Sequence, residues 1–141
     1  MISSILFISA VTLLNVYLVT CVGTASIVNW CDLDVYVWSV ADVTNDTVNH
    51  LDPKIGGYSE TYRENPNGGG VSLKIATTPD ISFITQFEYT YHSYYPNVSY
   101  DISNINGYPF ETWGLNLSSP SLDYPLVSCD PGVALYPDVY N

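Results

Sequence analysis

The strongest constraint on this chain is a period of two. Successive side chains of an extended strand point to opposite faces. In "LDVYVWSV", Leu33, Val35, Val37 and Ser39 therefore face one way and Asp34, Tyr36, Trp38 and Val40 the other. "VSLKIAT" repeats the pattern, with Val71, Leu73 and Ile75 opposed to Ser72 and Lys74. The longest run is "ISFITQFEYTYHSYY". Ile81, Phe83, Thr85, Phe87, Tyr89 and Tyr91 share a face, and Ile84, Gln86, Glu88 and Thr90 share the other. "VSYDISNI" resumes the alternation, with Asp101 opposite in parity to Tyr100 and Ile102. Turn chemistry separates the runs: "DPKIGG", "NPNGGG", "TPD", "PN" and "NGY". Past residue 108 prolines are frequent and the extended pieces short. Beyond residue 25 no stretch carries the 3.6-residue period of an amphipathic helix. Many short strands with close turn signals predict an all-β chain, an antiparallel sandwich or barrel. With 141 residues, no internal repeat and no linker, one domain is expected.

The first 25 residues, "MISSILFISAVTLLNVYLVTCVGTA", carry no charged side chain and read as a secretory signal peptide. Gly23 and Ala25 place small residues at −3 and −1 of a cleavage after Ala25, although no Lys or Arg opens the segment. The expected division is thus a signal peptide over 1–25 and a β domain over 26–141. A cut nearer Cys21 is the other reading. A transmembrane anchor is disfavoured, because Ser9, Thr12, Asn15 and Thr20 interrupt the apolar run. Cys21 leaves with the signal, so Cys31 and Cys129 remain, and an even pair in an oxidising compartment predicts one disulfide between them. Two unpaired buried thiols are the alternative. Sequons at Asn45, Asn97 and Asn116 fit the same compartment, as glycosylation acceptors. Secretion to the extracellular space or the cell wall is expected.

Charge narrows the partners. The chain has 14 acidic residues against 3 Lys and Arg, a net charge of −11. A polyanion is repelled by such a surface and no basic stripe offsets this, so no nucleic-acid partner is expected. Stable insertion in a membrane is not expected either, and a monomer is. His50 and His92 lack any HxH or HExxH spacing, so no metal is predicted. "GGYSETYRENPNGGG" lacks the Lys-Ser/Thr ending and the helix of a phosphate loop, and no cofactor is predicted.

Glu88 and Asp101 stand out as carboxylates amid aromatic and β-branched residues. If their strands pair, both emerge on one sheet face. Glycosidases use two carboxyl groups, about 5–5.5 Å apart when retaining and about 6.5–9.5 Å apart when inverting. Two solvated strand acids are the bland alternative. The tyrosines divide likewise between sugar-stacking surfaces and half-buried packing residues, with packing the commoner role.

Four blocks, "NWCDLDVYVWSV", "GGVSLKIATT", "ITQFEYTY" and "SYDISNINGYPF", strongly resemble the fungal antigenic thaumatin-like family, named for a yeast-phase-specific protein. The resemblance runs in order from about Ser26 to Val133. More distantly it extends to plant thaumatin-like proteins. It implies a thaumatin-like antiparallel β-sandwich. In plant members an acidic cleft of one Arg, one Glu and three Asp is thought to bind β-1,3-glucan. By resemblance Glu88 matches the Glu and Asp101 the first Asp. Asn106 stands where the second Asp is expected, Arg63 is the candidate for the Arg, and the third Asp has no counterpart. The resemblance therefore implies a ligand-binding set of Glu88, Asp101, Asn106 and Arg63, with cell-wall polysaccharide as the partner class. Missing carboxylates weigh against hydrolysis, so no catalytic residue is assigned. The alternative is a weak β-1,3-glucan hydrolase using Glu88 and Asp101.

Overall fold

In a computed structural model of the chain, the structure describes residues 22–42, 47–95, 97–120 and 126–133. Among them are nine strands and no helix: β1 (Thr24–Val28), β2 (Val35–Val40), β3 (Asn49–Leu51), β4 (Gly57–Thr61), β5 (Val71–Ala76), β6 (Thr85–His92), β7 (Asn97–Ser103), β8 (Leu115–Leu117) and β9 (Val127–Cys129). The five-stranded sheet has the order β3-β2-β5-β6-β7, and β1-β4 and β8-β9 form two-stranded sheets. Every pairing is antiparallel. The all-β sandwich expected from the sequence is the fold observed.

The period of two decides which side is inside. Val35, Val37, Val71, Leu73, Ile75, Phe87 and Tyr89 line the inner face of the large sheet and form one core. Ala25 of β1 joins that core, with Ile27, Tyr58 and Leu117 packed against it, so β1-β4 and β8-β9 cover the inner face as a second layer. The opposite residues of the same strands form the outer face. There Trp38, Ala76 and Ile84 make a small second cluster with Tyr36 and Val40.

One buried polar residue holds the layers together. Asn29, 2% exposed, ends β1. Its amide donates to the carbonyls of Leu33 (2.8 Å), Asp52 (3.0 Å) and Leu51 (3.2 Å), and its Oδ1 accepts the Cys31 N–H at 2.9 Å. Its own N–H donates to the Gly56 carbonyl at 2.8 Å. A buried amide is tolerable only with its hydrogen bonds made, and here they tie the end of β1 to the segments flanking β2 and β3.

β1 begins at Thr24, so the expected domain boundary after Ala25 falls inside a strand. Thr24 pairs with Thr61 and Ala25 with Glu60. Residues 1–21, with the rest of the expected signal peptide and Cys21, lie outside the described residues, as does the sequon at Asn45.

Candidate functional site

The β6-β7 register sets Glu88 directly opposite Asp101. On the other side β5 places Ser72 opposite Glu88 and Lys74 opposite Gln86. Side chains directly opposite across antiparallel strands stand about 4.5–5.5 Å apart at Cβ. The two carboxylates are therefore neighbours on the outer face, both half-buried. Around them, Ser72 Oγ donates to Gln86 Oε1 at 3.2 Å and Gln86 Nε2 donates to Asn106 Oδ1 at 3.1 Å. Asn106 is exposed and reaches this group through Gln86 rather than through a carboxylate.

Burial pushes the Glu88 carboxyl above its ordinary value, and the like charge of Asp101 pushes it further, against a smaller lowering by Lys74. Burial also raises Asp101. Neither carboxylate makes a hydrogen bond or an ion pair with any described residue. Among the described residues no side chain takes up their acceptor lone pairs.

Arg63 is not part of this group. It emerges just after β4, where its Nη2 donates to Ser39 Oγ at 2.9 Å. Ser39 belongs to the inner-face side of β2, so Arg63 and Glu88 lie on opposite sides of the large sheet. The base near Glu88 is Lys74, which parity places on the outer face and which the family pattern does not single out. Arg63 instead lines a pocket of about 460 Å³ with Asp42, Tyr58, Glu60 and Asn67. Glu60, half-buried, is its centre. Tyr58 Oη donates to Glu60 Oε2 at 2.7 Å and Tyr89 Oη to Oε1 at 2.5 Å. Burial alone raises the Glu60 carboxyl, but hydrogen bonds from Ser39, Tyr58 and Tyr89 and the Arg63 charge outweigh it and leave it low. The Tyr58 hydroxyl is pushed up to about 12, first by burial and then by Glu60. This carboxylate is fully used inside the fold. "YSETYRE" carried the signal for it: parity sets Glu60 between Tyr58 and Tyr62 on the inward face.

A larger cavity, of about 710 Å³, opens between β1 and the β8-β9 pair, lined among others by Trp30, Phe110, Trp113, Cys31 and Cys129. Trp113 Nε1 donates to Asp32 Oδ1 at 2.8 Å and draws the two sides together. Neither of these two cavities is lined by Glu88 or Asp101, which emerge from the outer sheet face. Cys31 and Cys129, expected to be bridged, are both free thiols here. Burial raises both, and the neighbouring Asp32 and Asp130 add to it. A raised thiol keeps little thiolate, the species that disulfide exchange requires. Asn97, at the start of β7, and Asn116, on β8, are exposed.

Asp34, His50 and Asp52 bring one ligand atom each within 4.8 Å of one another on the exposed side of β2-β3. Sequence spacing could not show this, because the β2-β3 register assembles it. His50 Nε2 lies 2.8 Å from Asp34 Oδ1, a hydrogen bond that accounts for the arrangement by itself. His92 is exposed at the end of β6.

Fold and site together define a small antiparallel sandwich with a carboxylate pair on its outer face that has no hydrogen-bond or ion-pair partner among the described residues. The family described as Bys1, Blastomyces yeast-phase-specific protein, matches residues 12–140, and the chain belongs to it. It is similar to an antigenic thaumatin-like protein of Arthroderma benhamiae, 46% identical over 120 residues, covering 84% of this chain and 60% of that protein. It is 32% identical over 128 residues to the secreted thaumatin-like protein calA of Emericella nidulans, covering 84% of this chain and 72% of calA. The chain thus spans about three-fifths of the length of the first relative. The crystal structure of the protein elicitor MoHrip2 from Magnaporthe oryzae shares the fold, with a TM-score of 0.64 and 25% identity, covering 77% of this chain and 78% of that one.

Proposed function

We propose that this chain is a secreted fungal thaumatin-like protein that binds neutral, hydroxyl-rich cell-wall polysaccharide, of the β-1,3-glucan class, on the outer face around Glu88 and Asp101, without hydrolysing it. One observation carries the reading: two carboxylates stand side by side on neighbouring strands with no hydrogen bond or ion pair among the described residues. Ionised carboxylates are acceptors only, and sugar hydroxyls are the donors they lack. Ser72, Gln86, Lys74 and Asn106 surround them with further polar groups at fixed strand positions. With a net charge of −11, anionic ligands are disfavoured. Secretion is supported by the apolar N-terminal segment and by the name of the Emericella relative.

Binding is favoured over catalysis by geometry. A glycosidase places its carboxyl groups to flank the scissile bond. Two neighbours on one sheet face approach a ligand from the same side. The hydrolase reading keeps in its favour that the two carboxylates are direct cross-strand neighbours.

The test is a pull-down on insoluble β-1,3-glucan with wild type, Glu88→Gln, Glu88→Ala and Asp101→Asn, alongside a reducing-sugar assay. Wild type should be retained, Glu88→Gln should be retained better than Glu88→Ala, and no sugar should be released. Equal retention of all four would remove the site. Sugar release by wild type that both Glu88 variants abolish would establish the hydrolase instead.

A further inference from the structure

We infer that the signal segment is removed upstream of β1, at or before the Gly23–Thr24 bond, and not after Ala25. The inference rests on the secretory reading above for the existence of a processing step; the position of the cut comes from the fold. Ala25 is 1% exposed and belongs to the main core. It pairs with Glu60, and Thr24 pairs with Thr61. A cut after Ala25 would remove two of the five register pairs that join β1 to β4. It would also leave a methyl-sized void in the core and a charged α-ammonium on Ser26, in the middle of what had been a strand. Ser26 Oγ is itself hydrogen-bonded to Ser59 Oγ at 3.0 Å in that ladder.

The affected strand is not peripheral. β4 carries Glu60, the acceptor of the Tyr58 and Tyr89 hydroxyls. Among the described residues β4 pairs with no other strand. Loosening β1 therefore loosens the element that satisfies a buried tyrosine.

Upstream, the sequence offers a suitable bond. Signal processing selects small residues at −3 and −1. Gly23 and Ala25 satisfy that rule for the 25/26 bond, but Cys21 and Gly23 satisfy it equally for the 23/24 bond. That cut leaves Thr24, which is exposed, as the first residue and keeps Ala25 in the core. A cut after Cys21 also keeps the Gly23 carbonyl, which accepts the Tyr62 N–H at 3.0 Å. Either cut discards Cys21 with the leader and leaves Cys31 and Cys129 in the mature chain.

The test has two parts. The full chain is expressed in a filamentous fungal host, and the protein in the medium is sequenced from its N-terminus. A first residue at Val22 or Thr24 is expected; Ser26 would overturn the proposal. No protein in the medium would overturn the secretory reading, and with it the processing step. Independently, chains beginning at Thr24 and at Ser26 are produced without a leader and unfolded in urea. The Ser26 chain should unfold at lower urea or without a cooperative transition. Equal midpoints would overturn the proposal whatever the outcome of secretion.

Discussion

Replacing Glu60 by Ala tests whether the inner-face carboxylate is structural. Tyr89 is 1% exposed, and its hydroxyl donates to Glu60 Oε1. Removing the acceptor leaves that hydroxyl buried and unsatisfied, a cost of about 1–3 kcal/mol. Tyr58 also loses its acceptor but is half-buried, so water replaces part of the bond at a cost of about 0.5–1 kcal/mol. The expected loss is therefore roughly 1.5–4 kcal/mol. Tyr89→Phe removes the hydroxyl with its bond and should cost only about 1 kcal/mol, because no orphan remains. The double variant should be less destabilised than the sum of the two, since the orphan created by the first change is deleted by the second. Urea unfolding at unchanged slope reads these differences as midpoint shifts. pH adds a second signature. The fold holds the Glu60 carboxyl low, so its ionised form contributes stability above the ordinary carboxylate pKa. That contribution is lost as pH falls through the lowered value, and the gap between wild type and Glu60→Gln should close in acid. A Glu60→Ala unfolding free energy within about 0.5 kcal/mol of wild type would refute the argument, as surface changes commonly stay within that range. So would strict additivity of the pair.

Glu88 should behave in the opposite sense. Its carboxyl is raised by burial and by Asp101, so ionising it costs stability as pH rises through the raised value; Glu88→Gln should stabilise at pH 7 by a few tenths to about 1 kcal/mol, a gain that vanishes in acid, as thermal melts at the two pH values will register. Gly114→Ala should lower the unfolding free energy read from urea by more than about 1–2 kcal/mol, because φ is 78° and a Cβ would stand 2.4 Å from the Cys129 carbonyl oxygen; an unchanged value would refute this account of the turn. Cys31 and Cys129 should alkylate slowly at neutral pH and fully once unfolded without reductant, since burial raises both thiols; mass spectrometry that finds neither alkylated until reductant is added would restore the bridge expected from the sequence.

The outer face was legible because a strand needs only counting. Parity along "ITQFEYTY" and "SYDIS" placed Glu88 and Asp101 on one face, and the β6-β7 register then set them opposite. Arg63 was misplaced because the irregular stretch between β4 and β5 has no period to count, and family resemblance does not specify a side of the sheet. The Glu60–Tyr89 bond joins residues on β4 and β6, which share no ladder. Half of its geometry was nonetheless readable, from the inward Tyr58-Glu60-Tyr62 parity. The Asp34-His50-Asp52 group depended on a register closed by a long connector. The start of β1 was hidden by composition: Ala25 serves equally as a signal-exit residue and as a core methyl. The structure decides for the second role, since Ala25 is 1% exposed in the core.

The two faces of the large sheet separate two kinds of acid by the company each keeps. Glu60 lies on the inner side, meets hydroxyl donors and Arg63, and is held low. Glu88 lies on the outer side, where burial and the Asp101 charge outweigh a smaller lowering by Lys74, and is raised. A carboxylate whose donors come from the fold repays its desolvation within the fold. One whose nearest neighbour is a like charge gains most when donors arrive from outside, because each hydroxyl that reaches the pair offsets both burial and repulsion. That asymmetry, and not acidity alone, is the reason for proposing the Glu88–Asp101 face as the polysaccharide site. It also sets the pH dependence of binding: retention on glucan should fall in acid as the pair protonates and loses acceptors, while the Glu88→Gln variant, which cannot titrate at that position, should fall less. Retention that rises in acid for wild type would reverse the assignment.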